Sequence, residues 1–135
     1  MVYITRRESF SSAHRLHNPE LSDEENLAIY GKCNNLNGHG HNYVLEVVVA
    51  GRIDRKTGYV FDLKKLKEII RENIIAKVDH KNLDLDVDFL KGIISTTENL
   101  AVAFWNELEG KIPSGSLYSV KLYETENNYI EYKGE

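Results

Sequence analysis

An α+β fold is predicted for this chain, a four-stranded antiparallel sheet with two helices laid on one face, and three observations predict it. Alternating or β-branched segments stand near both ends and around residue 45, and between them lie two segments with apolar residues at helical spacing. The order therefore reads strand, short helix, strand, helix, helix, strand, strand. No repeat, low-complexity tract or Pro/Ser-rich linker divides the 135 residues, so residues 1–135 are expected to form a single domain. At 41% hydrophobic content that length suffices to bury one ordinary core.

Residues Val2 to His14 alternate in character, which suits a half-exposed strand. Ser22 followed three places later by Glu25 is a capping box that opens a short helix, and Gly31 closes it. Cys33 then lies in a loop. From His39 the chain runs through Tyr43, Val44, Leu45, Val47, Val48 and Val49, a β-branched-rich strand ending near Gly51. Residues 54–58 make a turn and 59–61 a short extended piece. Asp62 caps an amphipathic helix carrying Leu63, Leu66, Ile70 and Ile74. After an irregular stretch at 79–88, Ser95 and Glu98 form a second capping box before 99–108, where Leu100, Ala101, Phe104, Trp105 and Leu108 make an apolar stripe. Pro113 and Gly115 break that helix. Residues 117–125 form a strand, 126–128 a turn, and Tyr129 to Tyr132 the returning strand. A sheet this small has exposed edges, which commonly pair with other chains, so an oligomer closed through its sheets is expected.

The formal net charge of −4 leaves no basic footprint for nucleic acid. No apolar run approaches the length of a membrane span, and the N-terminal residues lack the apolar region of a secretory signal. A soluble, cytoplasmic protein is expected. The single cysteine excludes an internal disulfide and suits a reducing compartment.

The stretch from Cys33 to His41 concentrates the chemistry. In an extended chain His39 and His41 project from one face, so both rings can reach one ion, and His14 could supply a third ligand from a neighbouring strand. Three neutral histidines with an open fourth position describe a catalytic zinc site. The competing reading makes His39 and His41 ordinary polar strand residues and the flanking glycines a hairpin turn. The gathering of the only cysteine and three of the five histidines favours the metal, with zinc first because imidazole suits it.

Five blocks, Gly31-Lys32-Cys33-Asn34-Asn35, Asn37-Gly38-His39-Gly40-His41-Asn42-Tyr43, Val78-Asp79-His80-Lys81-Asn82-Leu83-Asp84, Ser95-Thr96-Thr97-Glu98-Asn99 and Tyr123-Glu124-Thr125, resemble the 6-pyruvoyl tetrahydropterin synthase family in order and spacing over nearly the whole chain. The resemblance implies the tunnelling fold, with strands joining between subunits into a barrel. It also implies a homohexamer of two stacked trimers with active sites at subunit junctions. The implied reaction converts 7,8-dihydroneopterin triphosphate to 6-pyruvoyl tetrahydropterin in tetrahydrobiopterin biosynthesis. This is a carbon–oxygen lyase step that releases triphosphate through internal redox, without a nicotinamide or flavin cofactor. One zinc per subunit would sit on His14, His39 and His41. Cys33 would be the general base, and Asp79 would polarise His80, which passes protons on the opposite face of the substrate. Glu124, also among the catalytic residues, would accept paired N–H bonds from the amino-pyrimidinone edge, with Thr96, Thr97 and Glu98 adding contacts to the ring.

Each assignment has a plainer alternative. Cys33 could be a buried inert thiol, Asp79-His80 a surface loop pair bonding backbone, Glu124 a solvent-facing strand residue, and Thr96 to Glu98 a helix cap. His17 matches no ligand or relay position and is expected at the surface. Arg15 and Lys32 are the nearest cations for the triphosphate. Arg6-Arg7-Glu8-Ser9 matches a basophilic kinase consensus, although a strand makes Ser9 less accessible. Two other functions compete: 6-carboxy-tetrahydropterin synthase, and a non-catalytic zinc-binding or pterin-binding oligomer. Three residues usually separate cysteine from His-Gly-His in the carboxy relative, whereas five do here, Asn34 to Gly38, which favours the pyruvoyl product. Leu36 stands where the family often has proline, a difference of loop stiffness. Retention of Cys33, Asp79, His80 and Glu124 together argues against the non-catalytic reading.

Overall fold

Strands β1 (Val2–His14) and β2 (His39–Gly51) pair antiparallel along their whole length in the computed structural model, which describes residues 1–135. Alternation sends Phe10, Ser12 and His14 of β1 and His39, His41, Tyr43, Leu45, Val47 and Val49 of β2 to one face. Helix α1 (Asp23–Tyr30) opens on the Ser22 capping box and closes at Gly31, as expected. A 3₁₀ turn, Gly31–Asn34, then carries Cys33.

Helix α2 (Leu63–Ile70) is capped by Asp62, but the expected single helix is not uniform: it passes through a π turn, Arg71–Ile75, into the short α3 (Ala76–Val78). The buried residues Leu66, Ile70, Ile74 and Val78 recur every fourth position. In an unbroken α-helix such a series drifts around the axis by about 40° per step. The wider π turn counters that drift and keeps the stripe on the sheet. Leu63, expected in the stripe, is 46% exposed at the first helical position.

The chain next forms a strand that the sequence did not signal. Lys81–Asn82 (β3) runs parallel to β1 at Ser12 and Ala13, drawn there because Ser12 Oγ donates to Val78 O at 2.6 Å and Asp79 Oδ1 accepts from Ser11 N at 2.9 Å. Two residues carry no periodicity to read. Strand β4 (Ser116–Tyr123) pairs with β2 and with β5 (Tyr129–Tyr132). The expected four-stranded antiparallel sheet is therefore a five-stranded mixed sheet of order β3-β1-β2-β4-β5. Residues 59–61 form no strand, although Val60 and Phe61 are buried.

Helix α4 (Thr97–Leu108) begins differently from expectation. Its N-cap is Thr96, whose hydroxyl accepts from Asn99 N, and not Ser95. Leu100, Phe104 and Leu108 of α4 join Leu66, Ile70, Ile74 and the inward residues of the sheet in one contiguous apolar cluster. At one margin Glu8 accepts from Arg6 and Arg71, both at 2.9 Å. Burial alone would raise its carboxyl, but the two guanidinium groups outweigh that and hold it below the usual range. No helix is long and apolar enough to cross a membrane.

Truncating the centre of the cluster should cost far more than truncating the exposed end of α2. Phe104→Ala should lose about 3–5 kcal/mol of unfolding free energy in urea melts, and Leu63→Ala no more than about 0.5 kcal/mol.

Candidate functional site

Where the inward face reaches the end of β1 and β2, apolar side chains give way to imidazoles. His14 lies opposite His39 in the ladder, and His41 lies opposite Ser12. The three ring nitrogens that could take an ion all lie within 4.8 Å of one another, and His14 Nε2 is 3.1 Å from His39 Nε2. His14 is fully buried. Its Nδ1 is 2.9 Å from Ser95 O, which can only accept, so the proton sits on Nδ1 and the Nε2 lone pair faces the cluster. Burial pushes the His14 and His41 imidazoles below the ordinary value, with neighbouring histidines adding to it and Glu124 opposing. Neutral imidazole is the form that ligates a metal. His39 Nδ1 and His41 Nε2 are buried with no hydrogen-bond partner. Unpaired buried nitrogens beside a converging lone pair fit a divalent metal ion.

Tyr43 forms the floor of this cluster, stacked on Phe10 at 4.9 Å and edge-on to His41 at 5.5 Å. Its phenol is pushed far up by burial, with Glu124 and Asp84 adding to that. Gly38, at φ 76°, packs so closely that a Cβ there would lie 2.9 Å from His14 O.

Glu124 follows the end of β4 and turns toward the imidazoles, with Oε1 3.4 Å from His41 Nε2. Its other oxygen accepts a short hydrogen bond from the hydroxyl of buried Thr97. It is not a solvent-facing strand residue: Thr97 engages one oxygen and the other faces His41. Thr96 is occupied as the cap of α4, whereas Glu98 is exposed in the first turn.

Cys33 is a half-buried free thiol. Its carbonyl accepts from Leu16 N at 3.0 Å, two residues beyond His14. Arg15 donates from Nε to Asn34 O at 2.9 Å and lines a cavity of about 470 Å³ with His17, Gly38, Asn82 and Asp84. Lys32 is exposed. His17 is not a surface histidine: it is half-buried, and its Nδ1 meets Asn34 Nδ2 at 3.1 Å. Ser9 lies exposed in the middle of β1, opposite Val44.

Asp79 and His80 do contact each other, because His80 adopts a left-handed backbone, φ 59°, that turns neighbouring residues toward one another. Asp79 Oδ2 is 3.0 Å from His80 Nδ1, and His80 N donates to Ser11 O at 2.6 Å. The Ser11 backbone N–H, followed by His80, holds the Asp79 carboxyl below its usual range against a small opposing effect of burial. The His80 side chain is 82% exposed. It opens on a groove lined by Ser11, Ala13, Gly40 and Asn42, which alternate onto the face away from His14 and His39, together with Ser12 and His41. The imidazoles, Glu124 and Thr97 come together, and the Asp79–His80 pair borders a groove that His41 also lines.

The family model for 6-pyruvoyl tetrahydropterin synthase matches residues 3–135. The chain belongs to the 6-pyruvoyl tetrahydropterin synthase family. The human 6-pyruvoyl tetrahydrobiopterin synthase is 54% identical over 132 residues, covering 98% of this chain and 91% of that protein. The solved structure of the Caenorhabditis elegans 6-pyruvoyl tetrahydropterin synthase superposes with a TM-score of 0.94 at 47% identity, over 99% of this chain and 96% of that one. A 6-carboxy-5,6,7,8-tetrahydropterin synthase of Rickettsia typhi is 32% identical over 150 residues, covering 97% of this chain and 99% of that protein. Asn34 and Ser95 lie within blocks that carry the resemblance, and His17 does not; none of the three names its partner in sequence, where Asn34 Nδ2 meets Leu16 O and His17 Nδ1 and Ser95 O meets His14 Nδ1.

The two depressed imidazoles have a thermodynamic consequence. Since the folded values of His14 and His41 lie below the ordinary 6.5, the unfolded chain binds more protons in the window just beneath 6.5. Metal-free protein should therefore lose stability as pH falls through that window and show no such slope from these groups above it. Urea midpoints between about pH 7.5 and about pH 5 check this, and a flat profile would contradict it.

Proposed function

We propose that this chain is a zinc-dependent 6-pyruvoyl tetrahydropterin synthase. It converts 7,8-dihydroneopterin triphosphate to 6-pyruvoyl tetrahydropterin and triphosphate, a carbon–oxygen lyase step of tetrahydrobiopterin biosynthesis. The observation that carries the reading is the cluster of His14, His39 and His41, with ring nitrogens within 4.8 Å of one another, beside the carboxylate of Glu124. Three imidazoles and no thiolate suit zinc with an open position. When bound there, zinc supplies Lewis acidity toward the substrate's side-chain oxygens.

The chain's own groups divide the proton work. Cys33 takes the carbon-bound proton on one face. Asp79 orients His80 through Nδ1 and leaves Nε2 to pass protons on the other face. Glu124, also among the catalytic residues, is held by Thr97 and faces His41, and its two oxygens keep lone pairs for the paired N–H bonds of the amino-pyrimidinone edge. Thr96, Thr97 and Glu98, at the start of α4, add contacts to the ring, and Glu98 is exposed there. Arg15 and Lys32 remain the cations assigned to the triphosphate.

The open edges at β3 and β5 support a homohexamer of stacked trimers whose sites are shared between subunits, with sheets joined into a tunnelling barrel. Each subunit is read as one domain, residues 1–135, working in the cytoplasm, where its lone thiol stays reduced. The five residues between Cys33 and His39 favour the pyruvoyl over the carboxy product.

Incubating zinc-loaded protein with 7,8-dihydroneopterin triphosphate, without reductant, should give 6-pyruvoyl tetrahydropterin and triphosphate by mass. A carboxy-pterin with acetaldehyde would transfer the chain to the relative's activity, and tight binding without turnover would make it a binding protein. Cys33→Ala should retain zinc and pterin while losing about 10²–10⁴-fold in turnover.

A further inference from the structure

The turn that carries Cys33 is laced to the chain just beyond His14 by one side chain. Asn34 is only 8% exposed. Its Nδ2 lies 2.7 Å from Leu16 O and 3.1 Å from His17 Nδ1. Leu16 O can only accept, so the group facing it is the amide nitrogen, and the second amide hydrogen points at His17 Nδ1. His17 therefore accepts at Nδ1 and carries its proton on Nε2. Two further bonds run alongside, from the Arg15 side chain, Nε to Asn34 O at 2.9 Å, and between backbones, Leu16 N to Cys33 O at 3.0 Å. Four hydrogen bonds thus join residues 33 and 34 to residues 15–17, next in sequence to an imidazole of the cluster. The far end of the same loop is pinned as well, since Gly38 packs against His14 O.

We infer that Asn34 and His17 are positioning residues for the Cys33 thiol: the Asn34 carboxamide, oriented by His17, fixes where the thiol stands relative to the three imidazoles. Both act through the loop that carries the thiol, since the Asn34 amide bonds Leu16 O and His17 Nδ1. The inference rests on reading Cys33 as the base of the proposed reaction. The bridge needs two N–H donors on one short planar head. Aspartate has the shape and no donors, and alanine leaves Leu16 O and His17 Nδ1 unpaired. Displacing a reacting group by about 1 Å can cost on the order of 10²-fold in rate.

The test compares zinc-loaded full-length wild type with Asn34→Ala, Asn34→Asp, His17→Leu and His17→Gln. Zinc content, kcat, KM and the pH profile of iodoacetamide alkylation are measured, the last reporting Cys33 alone because it is the single cysteine. Both Asn34 variants should keep zinc and KM, lose about 10²-fold in kcat and shift the alkylation midpoint. His17→Leu should show a smaller loss in kcat with a shifted midpoint, and His17→Gln, which restores an acceptor, should recover much of it. Wild-type kcat and an unchanged alkylation profile in the Asn34 variants would overturn the inference. If those variants do not fold, an unchanged profile in His17→Leu overturns it. A wild type that never turns over substrate rejects the proposed reaction, and the alkylation profiles still decide whether Asn34 positions the thiol.

Discussion

The thirteen-residue ladder between β1 and β2 decides which side chains of this molecule meet, because side-chain direction alternates at every residue. In the observed register His14 stands opposite His39, and His41 shares their face. A slip of one residue would carry His14 to the opposite face of the sheet and separate it from the pair on β2. The same slip would expose Phe10 and break its stack on Tyr43. Core and candidate metal centre are thus specified by one register, and burial of the first enforces assembly of the second.

The helical layer completes what the ladder begins. Because α4 starts at Thr97 and is capped by Thr96, the preceding Ser95 presents its carbonyl to His14, and Thr97 presents its hydroxyl to Glu124. A helix begun one residue earlier would rotate these contacts away from the sheet by about 100°. A single helix start therefore sets both the proton position on His14 and the orientation of the carboxylate beside His41. The π turn between α2 and α3 has a comparable effect at the other end, keeping Val78 buried so that Asp79 reaches the backbone of Ser11.

What was legible in the sequence was local. Alternating character marked β1, a β-branched-rich run from His39 to near Gly51 marked β2, period two placed His39 and His41 on one face, and the Ser22 capping box located α1. Ser95 was misread as a cap because Ser95 and Thr96 offer equivalent hydroxyls to the same helix start, and only tertiary demand from His14 separates them. β3 was invisible because two residues have no pattern. The pairings Thr97 with Glu124 and Asn34 with His17 join residues 27 and 17 positions apart, beyond any periodicity. The family resemblance named Asp79 and His80, but the strand that brings them to the edge of β1, beside a groove lined by His41, was not readable from it.

In the proposed site three imidazoles hold the metal while the thiol of Cys33 stays outside its ligand set. Zinc K-edge X-ray absorption on the loaded protein addresses that directly. It should give nitrogen or oxygen scatterers alone, at about 2.0–2.1 Å, with an outer-shell pattern of three imidazoles. A sulfur scatterer at about 2.3 Å would place Cys33 on the metal, contradicting its role as a base and the separation of metal and thiol on which the mechanism depends.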